Sequence, residues 1–271
     1  MDAGVVSNII SDLARIEREA FIAIPLAVES GSRAWGFPSP DSDYDCRFVF
    51  VRAAADTFTL FPKRDVIERP VTPVFDINGW ELSKALKLLL NGNAVIIEWL
   101  TSPFTYRVDE AFRTEFLALA ENVAERGLVA SHYFHLADNQ MKRNISNQDN
   151  IVIKKLFYVL RPLMALRWLE SHPDAVVAPM HFPTLCEDAG LDGATLAAIR
   201  DLLERKAQTR ELGEAAAPPS LLTFIADEHQ RAEELWTAQQ RRGHDEERMA
   251  AVDAFWRRWV SRLASRVGGT A

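Results

Sequence analysis

The stretch Glu29–Val51, ESGSRAWGFPSPDSDYDCRFVFV, decides the fold, because it connects two apolar segments through a Gly-Ser pair and an acidic turn. Before it, Phe21–Val28 (FIAIPLAV) is a continuous apolar run that leads to Gly31, which is typical of a buried strand entering a tight turn. At the other end, Phe48–Val51 continues as an apolar run out of the aspartates. The stretch therefore predicts two buried strands joined by a polar connection.

Three aspartates alternate along this connection, at Asp41, Asp43 and Asp45. Like charges at this spacing repel one another unless a cation lies between them, so the run is either a solvated acidic turn or a metal site. A calcium loop of the D-x-D-x-D type needs Gly at its sixth position and a bidentate acid at its twelfth. Counted from Asp41, these positions hold Cys46 and Arg52, so the sequence excludes that loop.

Asp43 and Asp45 have the spacing of a carboxylate pair. If Tyr44 points into the core from a strand, the two carboxylates project from the same face and suit a divalent metal. Ahead of them, Gly31-Ser32 follows a buried strand and opens one helical turn, where backbone N–H groups and a hydroxyl hold phosphate. A phosphate cradle beside a carboxylate pair predicts a metal–nucleotide site.

A third acid is expected if the site holds two ions, and Asp76 is the best candidate. It interrupts an apolar run in VFDINGWEL, just before a predicted helix. A buried carboxylate at such a place is costly without a cation, although a helix cap or a turn also accounts for an aspartate there. Beside Asp43 and Asp45, the metal interpretation is favoured.

The rest of the chain changes from mixed patterning to helical periodicity. The first part predicts a helix over Val5–Glu19, a third strand over Val71–Ile77, a helix from Trp80 to Asn91-Gly92 and a short helix over Ala94–Leu100. After about residue 110 the pattern is helical, over Phe112–Ala124, His132–Ile145, Ile151–Glu170, Thr195–Leu212, Leu221–Gln240 and Arg248–Val267.

These patterns predict an α/β (α+β) protein with two parts. Residues 1–108 form a small mixed sheet with flanking helices, and residues 109–271 form an all-α helical domain. The helical part is expected to close the cleft of the first.

Composition limits the function classes. The chain has 271 residues, 48% of them hydrophobic, and a formal net charge of −7, so any phosphate-binding surface is local rather than a broad basic footprint. Cys46 and Cys186 do not suggest a disulfide framework. The N-terminus lacks the pattern of a signal peptide and no apolar run reaches membrane-spanning length, which predicts a cytoplasmic protein with no membrane partner.

The motifs resemble a known group of enzymes. ESGSRAWGFPSPDSDYDCRFVFV resembles the Gly-Ser…Asp-x-Asp signature of the polymerase-β-like nucleotidyltransferase superfamily. More narrowly, DINGWELSKALKLLLNGNAVIIEWLTSPFTY and KKLFYVLRPLMALRWLE resemble its RlaP-like branch, which is associated with RNA ligases and RNA repair. The resemblance covers roughly residues 22–106 and 131–190, and it does not extend beyond residue 190.

The resemblance implies a two-metal reaction at the α-phosphorus of a nucleoside triphosphate (NTP). Two Mg²⁺ (or Mn²⁺) ions would bridge Asp43, Asp45 and the NTP, and Asp76 would join the ion nearer the attacking hydroxyl. Gly31 and Ser32 would hold the β- and γ-phosphates. The fold it implies is the small mixed sheet of that superfamily, with helices around it.

The helix predicted over Ile151–Glu170 is a second candidate for nucleotide binding. Lys154, Tyr158 and Arg161 lie at i, i+4 and i+7, which makes one cationic face with an aromatic residue between the charges. This face either covers the nucleotide or is solvated. In the first case Arg161 and one of Lys154 or Lys155 contact phosphate, and Tyr158 stacks on the base.

Several other polar residues have two interpretations each. Arg33 either assists the phosphates or lies on the surface, and Arg47 either balances the aspartates or touches substrate. Lys84 reaches a carboxylate or a phosphate, or is exposed. Glu98 is either an accessory acid or, as we favour, the ion-pair partner of a buried Lys or Arg. The H-x-x-H pair His132–His135 has no further ligand in view, so helix-face histidines are favoured over zinc.

The expected function is transfer of a nucleoside monophosphate from an NTP to a hydroxyl acceptor. The RNA-repair branch suggests an RNA 3′ end as that acceptor. Two alternatives stay open: nucleotidylylation of a protein such as a toxin or regulator, and a non-catalytic nucleotide-binding interaction protein. The presence of Gly31, Ser32, Asp43, Asp45 and Asp76 argues against the last, because a decayed site would be expected to lose a carboxylate first.

Overall fold

The structure, a computed structural model, describes residues 1–145, 151–208, 214–215, 217–236 and 245–267. Its strands are β1 Ile22–Glu29, β2 Tyr44–Arg52, β3 Val66–Glu68, β4 Phe75–Glu81, β5 Thr105–Val108, β6 Ile151–Val152 and β7 Glu214–Ala215. The first five form one sheet in the order β3-β4-β2-β1-β5, while β6 and β7 pair with each other. Strand β2 runs parallel to β4, and the other neighbours in the five-stranded sheet are antiparallel. The sheet is therefore mixed, as predicted.

Helices cover both faces of this sheet. They are α1 Ala3–Ala20, α2 Ala54–Thr57, α3 Leu82–Leu90, α4 Ala94–Thr101, α5 Glu110–Val123, α6 Arg126–Asn144, α7 Ile153–Ser171, α8 Phe182–Asp188, α9 Gly193–Gln208, α10 Pro219–Trp236 and α11 Glu246–Val267. The apolar stripe of α1, formed by Ile9, Leu13 and Ile16, packs in one core with Phe48 and Phe50 of β2. The opposite face of the sheet packs in a second core with the helices that follow. The predicted α/β (α+β) class is confirmed.

The pleat of β2 separates apolar from polar side chains at the start of the strand. Tyr44, Cys46 and Phe48 are buried in the core that α1 covers. Because successive side chains of a strand point to opposite faces, Asp45 and Arg47 lie on the face that the later helices cover. The polar side chains of β2 are thus brought under the helical part of the chain.

The structure corrects several predicted bounds. The helix predicted from Trp80 begins at Leu82, because Trp80 belongs to β4, and the helix predicted from His132 begins at Arg126. The third strand was predicted over Val71–Ile77, but β4 spans Phe75–Glu81. Two prolines, Pro70 and Pro73, lack the N–H group that a ladder needs, so the strand begins after them. The short strands β3 and β5 and the helix α8 were not predicted, because such short elements carry too few residues for a clear period.

The division at residue 108 stays a prediction. One continuous hydrophobic core runs from Leu26 and Val49 in the sheet to Trp259 and Leu263 in α11. The last described helix packs against α5 and also against β1 and β2. The helical part thus shares a core with the sheet. Among the residues that the structure describes, no helix combines the length and the apolar character needed to cross a membrane.

Candidate active site

The turn after β1 brings the backbone of Gly31 close to Asp45, the first aspartate of strand β2. The N–H of Trp35 donates to the carbonyl of Gly31 at 2.9 Å, which closes the single helical turn that the sequence predicted. A Cβ atom added to Gly31 would lie 1.9 Å from Oδ2 of Asp45. Only glycine therefore fits at this position while the Asp45 carboxylate keeps its place.

Glu29, the last residue of β1, ties this turn to β2. Its side chain is fully buried, and Oε1 accepts hydrogen bonds from the N–H of Gly31 at 3.2 Å and of Asp45 at 3.0 Å. Oε2 accepts a hydrogen bond from the hydroxyl of Tyr106. Burial raises the pKa of the Glu29 carboxyl, while these hydrogen bonds lower it. Glu29 was not singled out from the sequence, although a charged residue that ends a buried apolar run was a usable signal.

A group of serine hydroxyls closes the other side of the turn. Ser32 Oγ donates to Ser42 Oγ at 3.0 Å, and Ser42 Oγ accepts from the N–H of Ser39 at 2.9 Å. Ser32 is 8% exposed, so its hydroxyl is held beside the aspartate turn rather than in open solvent. The predicted phosphate cradle at Gly31-Ser32 is thus joined by a direct hydrogen bond to Ser42, which lies between Asp41 and Asp43 in the chain.

Arg33 braces the aspartate turn. Its Nε donates to the carbonyl of Asp43 at 3.1 Å, and Nη2 donates to the carbonyl of Ser42. Its guanidinium carbon lies 4.0 Å from the centre of the Tyr44 ring. These contacts hold the backbone that carries Asp43, and they favour this role over direct assistance to the phosphates, which stays a prediction.

The helical part of the chain also holds the turn. Lys206 in α9 is 1% exposed, and its Nζ donates to the carbonyl of Phe37 while lying 4.4 Å from the centre of the Phe37 ring. A buried ammonium group needs such partners, because desolvation of a charge is costly. Lys206 therefore links α9 to the segment between the cradle and the aspartates. No sequence signal marked this residue.

Asp45 and Asp76 are cross-strand neighbours. They face each other directly in the register of the parallel pair β2 and β4. The guanidinium of Arg47 bridges them, since Nη2 lies 3.1 Å from Oδ1 of Asp45 and 2.8 Å from Oδ2 of Asp76. The Nη1 atom of Arg47 donates to the carbonyls of Cys46 at 3.1 Å and Asp76 at 3.2 Å. Arg47 thus balances the charge of the aspartates, one of the two roles predicted for it.

The electrostatics of this cluster favour a cation. Burial raises the pKa of the Asp45 carboxyl, and the nearby carboxylates of Asp43 and Asp76 raise it further, while Arg47 lowers it. Asp43, just ahead of β2, is exposed. A cation at this place would relieve the repulsion among the three carboxylates.

The donor chemistry fits a hard divalent ion, because carboxylate oxygens are the ligands that Mg²⁺ prefers. Within the described ranges, no three His, Cys, Asp or Glu side chains are gathered closely enough to hold a metal as they stand. Asp45 and Asp76 are instead held by Arg47. The residues fit a metal site in kind, and Arg47 would compete with an ion for these two carboxylates because it already contacts one oxygen of each.

The helix predicted to cover the nucleotide is α7, and its Tyr158 lies near enough to Asp43 and Asp45 to feel their charge. Burial raises the pKa of the Tyr158 hydroxyl, and the carboxylates of Asp43 and Asp45 raise it further, which places this tyrosine in their field. Its ring meets the edge of Trp35 with 6.1 Å between the ring centres. Lys155 is exposed, and the side chain of Lys154 lies outside the described residues.

Arg161, also on α7, is engaged in the interior. It is 7% exposed and forms an ion pair with Glu98 of α4, itself 2% exposed. Its guanidinium carbon lies 4.3 Å from the centre of the Trp35 ring. The predicted ion pair of Glu98 with a buried cation is confirmed. Nucleotide binding by Arg161 stays a prediction, and this pairing argues for a structural role.

The remaining candidates have structural partners. Lys84 reaches a carboxylate, that of Asp65, at 3.2 Å. Nδ1 of His132 accepts a hydrogen bond from the N–H of Ala94 at 3.0 Å, which satisfies a donor at the start of α4. His135 is exposed. These contacts agree with helix-face histidines rather than a zinc pair.

Comparisons with known proteins show which proteins this chain resembles. Residues 5–258 match the family described as RlaP: RNA repair pathway DNA polymerase beta family, which confirms the resemblance found in the sequence. The uncharacterized protein YcgL of Bacillus subtilis (strain 168) is 40% identical over 226 residues, which are 83% of this chain and 85% of that protein. A crystal structure of a nucleotidyltransferase-like protein from Exiguobacterium sibiricum 255-15 aligns with 95% of this chain and 89% of its own, at 13% identity and a TM-score of 0.32. The family rests on the first two matches.

Proposed function

Because the chain belongs to the RlaP family, the RNA repair pathway DNA polymerase beta family, we propose that it transfers a nucleoside monophosphate from an NTP to the hydroxyl of an RNA 3′ end. Membership of this polymerase-β-like group supports nucleotidyltransferase activity itself. The observation that carries the proposal is the direct pairing of Asp45 and Asp76 on neighbouring parallel strands, beside the turn at Gly31. The carboxylate oxygens proposed to bind metal and the backbone turn proposed to bind phosphate therefore lie next to each other.

Asp43, Asp45 and Asp76 are the proposed metal ligands and catalytic carboxylates. Asp43 and Asp45 lie two residues apart, on either side of the buried Tyr44, and Asp76 is held one strand away by Arg47. Bound Mg²⁺ or Mn²⁺ would lower the pKa of the attacking hydroxyl and neutralise charge on the leaving pyrophosphate. The protein would hold these three carboxylates together, and Arg47 would give up its contact with Asp76 when an ion binds there.

The turn at Gly31-Ser32 is the proposed site of the β- and γ-phosphates. Its backbone approaches Asp45 closely, and the Ser32 hydroxyl lies in the same hydrogen-bonded group as Ser42. Of the nucleotide-binding set predicted on α7, Lys154, Tyr158 and Arg161, Tyr158 is best supported because it lies in the field of the aspartates, whereas the ion pair of Arg161 with Glu98 favours a structural role for that residue. An NTP and RNA are consistent with the cytoplasmic location predicted from the sequence, which stays part of the proposal.

Label transfer tests the proposal. The protein is incubated with each α-labelled NTP, Mg²⁺ or Mn²⁺, and either RNA with a free 3′ hydroxyl or cell extract. An Asp43→Ala/Asp45→Ala variant and a reaction with chelator serve as controls. We expect label in RNA that depends on the metal and on the two aspartates.

The other outcomes separate the alternatives. Label in a protein, with none in RNA, would replace the RNA acceptor by a protein acceptor. No label anywhere, together with metal-independent binding of NTP, would contradict nucleotidyl transfer and leave a nucleotide-binding interaction protein.

Gly31→Ala is expected to reduce transfer while the protein stays folded. The new methyl group would collide with the Asp45 carboxylate, which lies 1.9 Å from its position, and so displace a proposed metal ligand. Misplacement of a catalytic group by about 1 Å costs on the order of 10²-fold in rate. The rate of label transfer is measured beside the far-ultraviolet circular dichroism spectrum.

Gly193→Ala is the matched control for this substitution. Gly193 is the first residue of α9, and an added Cβ meets nothing within 4 Å. We expect it to keep the parent rate. Equal activity of the Gly31→Ala protein would show that the close approach to Asp45 has no catalytic importance.

Arg47→Gln is expected to tighten metal binding. The guanidinium and a divalent ion compete for the carboxylates of Asp45 and Asp76, so its removal frees both. Two partly buried ion pairs of roughly 0.2–1 kcal/mol each correspond to an affinity gain of about 2- to 30-fold. Titration of Mn²⁺ followed by electron paramagnetic resonance measures this directly, without turnover.

Arg64→Gln provides the comparison, since Arg64 forms an exposed ion pair with Glu68, the last residue of β3. It should bind Mn²⁺ as the parent protein does. Unchanged or weaker Mn²⁺ binding by Arg47→Gln would mean that the guanidinium does not compete with the ion.

A further inference from the structure

A cleft of about 370 Å³ lies beside the aspartates, and it is lined by Tyr158 and by Arg47, which contacts Asp45 and Asp76. It lies between the polar face of β2 and β4 and the helices α4, α6 and α7. Three residue pairs of β2 and β4 follow one another along this polar face. They are Asp45 with Asp76, Arg47 with Asn78, and Val49 with Trp80. The volume lies within the range of small-molecule sites, roughly 300–1,000 Å³.

Aromatic rings form much of its wall. Trp35, Trp80, Trp99 and Tyr158 all line the cleft. Trp80 is half-buried and leans on the fully buried Trp99, with 4.1 Å between ring centres, so its position is held from behind. Such rings are the surfaces on which nucleobases stack, whatever their sequence.

The charged groups of the cleft are already paired. Arg161 is bound to Glu98, and Arg47 is bound to two aspartates at the mouth. A phosphate group entering the interior would therefore find its cations engaged. The interior suits an uncharged ring, whereas the phosphates belong at the mouth, beside the turn at Gly31.

Polar groups inside the cleft can read the edge of such a ring. Gln140 Oε1 accepts from Asn144 at 2.8 Å and Asn78 Nδ2 donates to Glu68 at 3.2 Å. These two bonds leave an amide donor on Gln140 and an amide acceptor on Asn78, both on residues that line the cleft.

We propose that this cleft is the nucleobase pocket of the enzyme: Trp80 stacks on the base of the NTP, and Asn78 and Gln140 bind its polar edge. The inference rests on the proposed function for the identity of its ligand. It adds a base-recognition site on β4 and α6 to the carboxylates and the phosphate turn.

Binding without turnover tests the pocket. The dissociation constants of the four NTPs and of inorganic tripolyphosphate are measured by calorimetry for the parent protein, Trp80→Ala and Gln140→Ala. Loss of base stacking is expected to weaken NTP binding about 5- to 150-fold in Trp80→Ala, with tripolyphosphate binding unchanged. Gln140→Ala should weaken the four NTPs unequally, because it removes a hydrogen bond to the base edge.

Trp80→Phe guards against a folding defect. It keeps an aromatic surface on Trp99, so it should recover most of the affinity that Trp80→Ala loses. If Trp80→Ala weakens NTP and tripolyphosphate equally, or if neither Trp80→Ala nor Gln140→Ala weakens any nucleotide, the base-pocket proposal is overturned.

A second arm identifies the source of the base. The same proteins are titrated with a short RNA that carries a free 3′ hydroxyl. If the variants lose RNA affinity and keep NTP affinity, the cleft holds the terminal base of the acceptor, and the assignment to the NTP is overturned. If cleft variants weaken NTP binding but the parent labels no acceptor, the pocket stands and the proposed transfer fails.

Discussion

Asp45→Asn is expected to lower the kcat/KM of nucleotidyl transfer by about 10³-fold or more, with little change in fold. The substitution keeps the shape of the side chain and removes the negative charge that a divalent ion needs. A metal acting on the attacking and leaving oxygens supplies several kcal/mol of transition-state stabilisation, which sets this size. Single-turnover transfer of an α-labelled NTP at saturating Mg²⁺ measures it.

Asp41→Asn is the matched control, because Asp41 belongs to the same alternating series and is exposed in the turn before the strand. It should keep the parent rate. A fully active Asp45→Asn protein, or an equal loss in Asp41→Asn, would remove Asp45 from the catalytic group and return the whole series to a solvated turn.

The strands and helices that the sequence predicted are those with a local signal. Phe21–Val28 predicted β1 because its apolar run is continuous, and the period of Val5–Glu19 predicted α1. The strand β4 was placed too early because its site-facing residues, Asp76 and Asn78, interrupt the apolar pattern. Short elements such as β3 and β5 are strands only because a neighbour supplies their hydrogen bonds.

The candidate site also combines features that the sequence predicted with features that it did not. The alternation of Asp43 and Asp45 around a buried Tyr44 is local, so the sequence reached it. The hydrogen bonds of Glu29 to Tyr106 and of Lys206 to Phe37 join residues far apart in the chain. No pattern within one segment indicates such partners, because packing of different elements creates them.

Arg161 shows how a partner changes an interpretation. On the helix alone, its spacing from Lys154 and Tyr158 left two interpretations open, a cationic face that covers the nucleotide and a solvated face. In the folded chain its guanidinium pairs with Glu98 and lies over the ring of Trp35. Stability can therefore separate a structural arginine from a phosphate-binding one.

Arg161→Ala is expected to destabilise the protein by about 3–5 kcal/mol. The change would leave the Glu98 carboxylate, 2% exposed, without its cation, and an uncompensated buried charge carries a cost of this size. For a chain of this length, that corresponds to a fall in the midpoint of thermal unfolding of roughly 6–20 °C. Differential scanning calorimetry measures the midpoint.

Two further variants make the result specific to the buried pair. Lys142→Ala breaks the ion pair of Lys142 with Asp138. Because the Lys142 side chain is 72% exposed, the midpoint of thermal unfolding should stay nearly unchanged. Glu98→Leu/Arg161→Met replaces both charges by apolar groups and should recover much of the lost stability. An Arg161→Ala protein with the parent midpoint but weakened NTP binding would instead make Arg161 a nucleotide ligand, because a phosphate contact contributes nothing to the stability of the free chain.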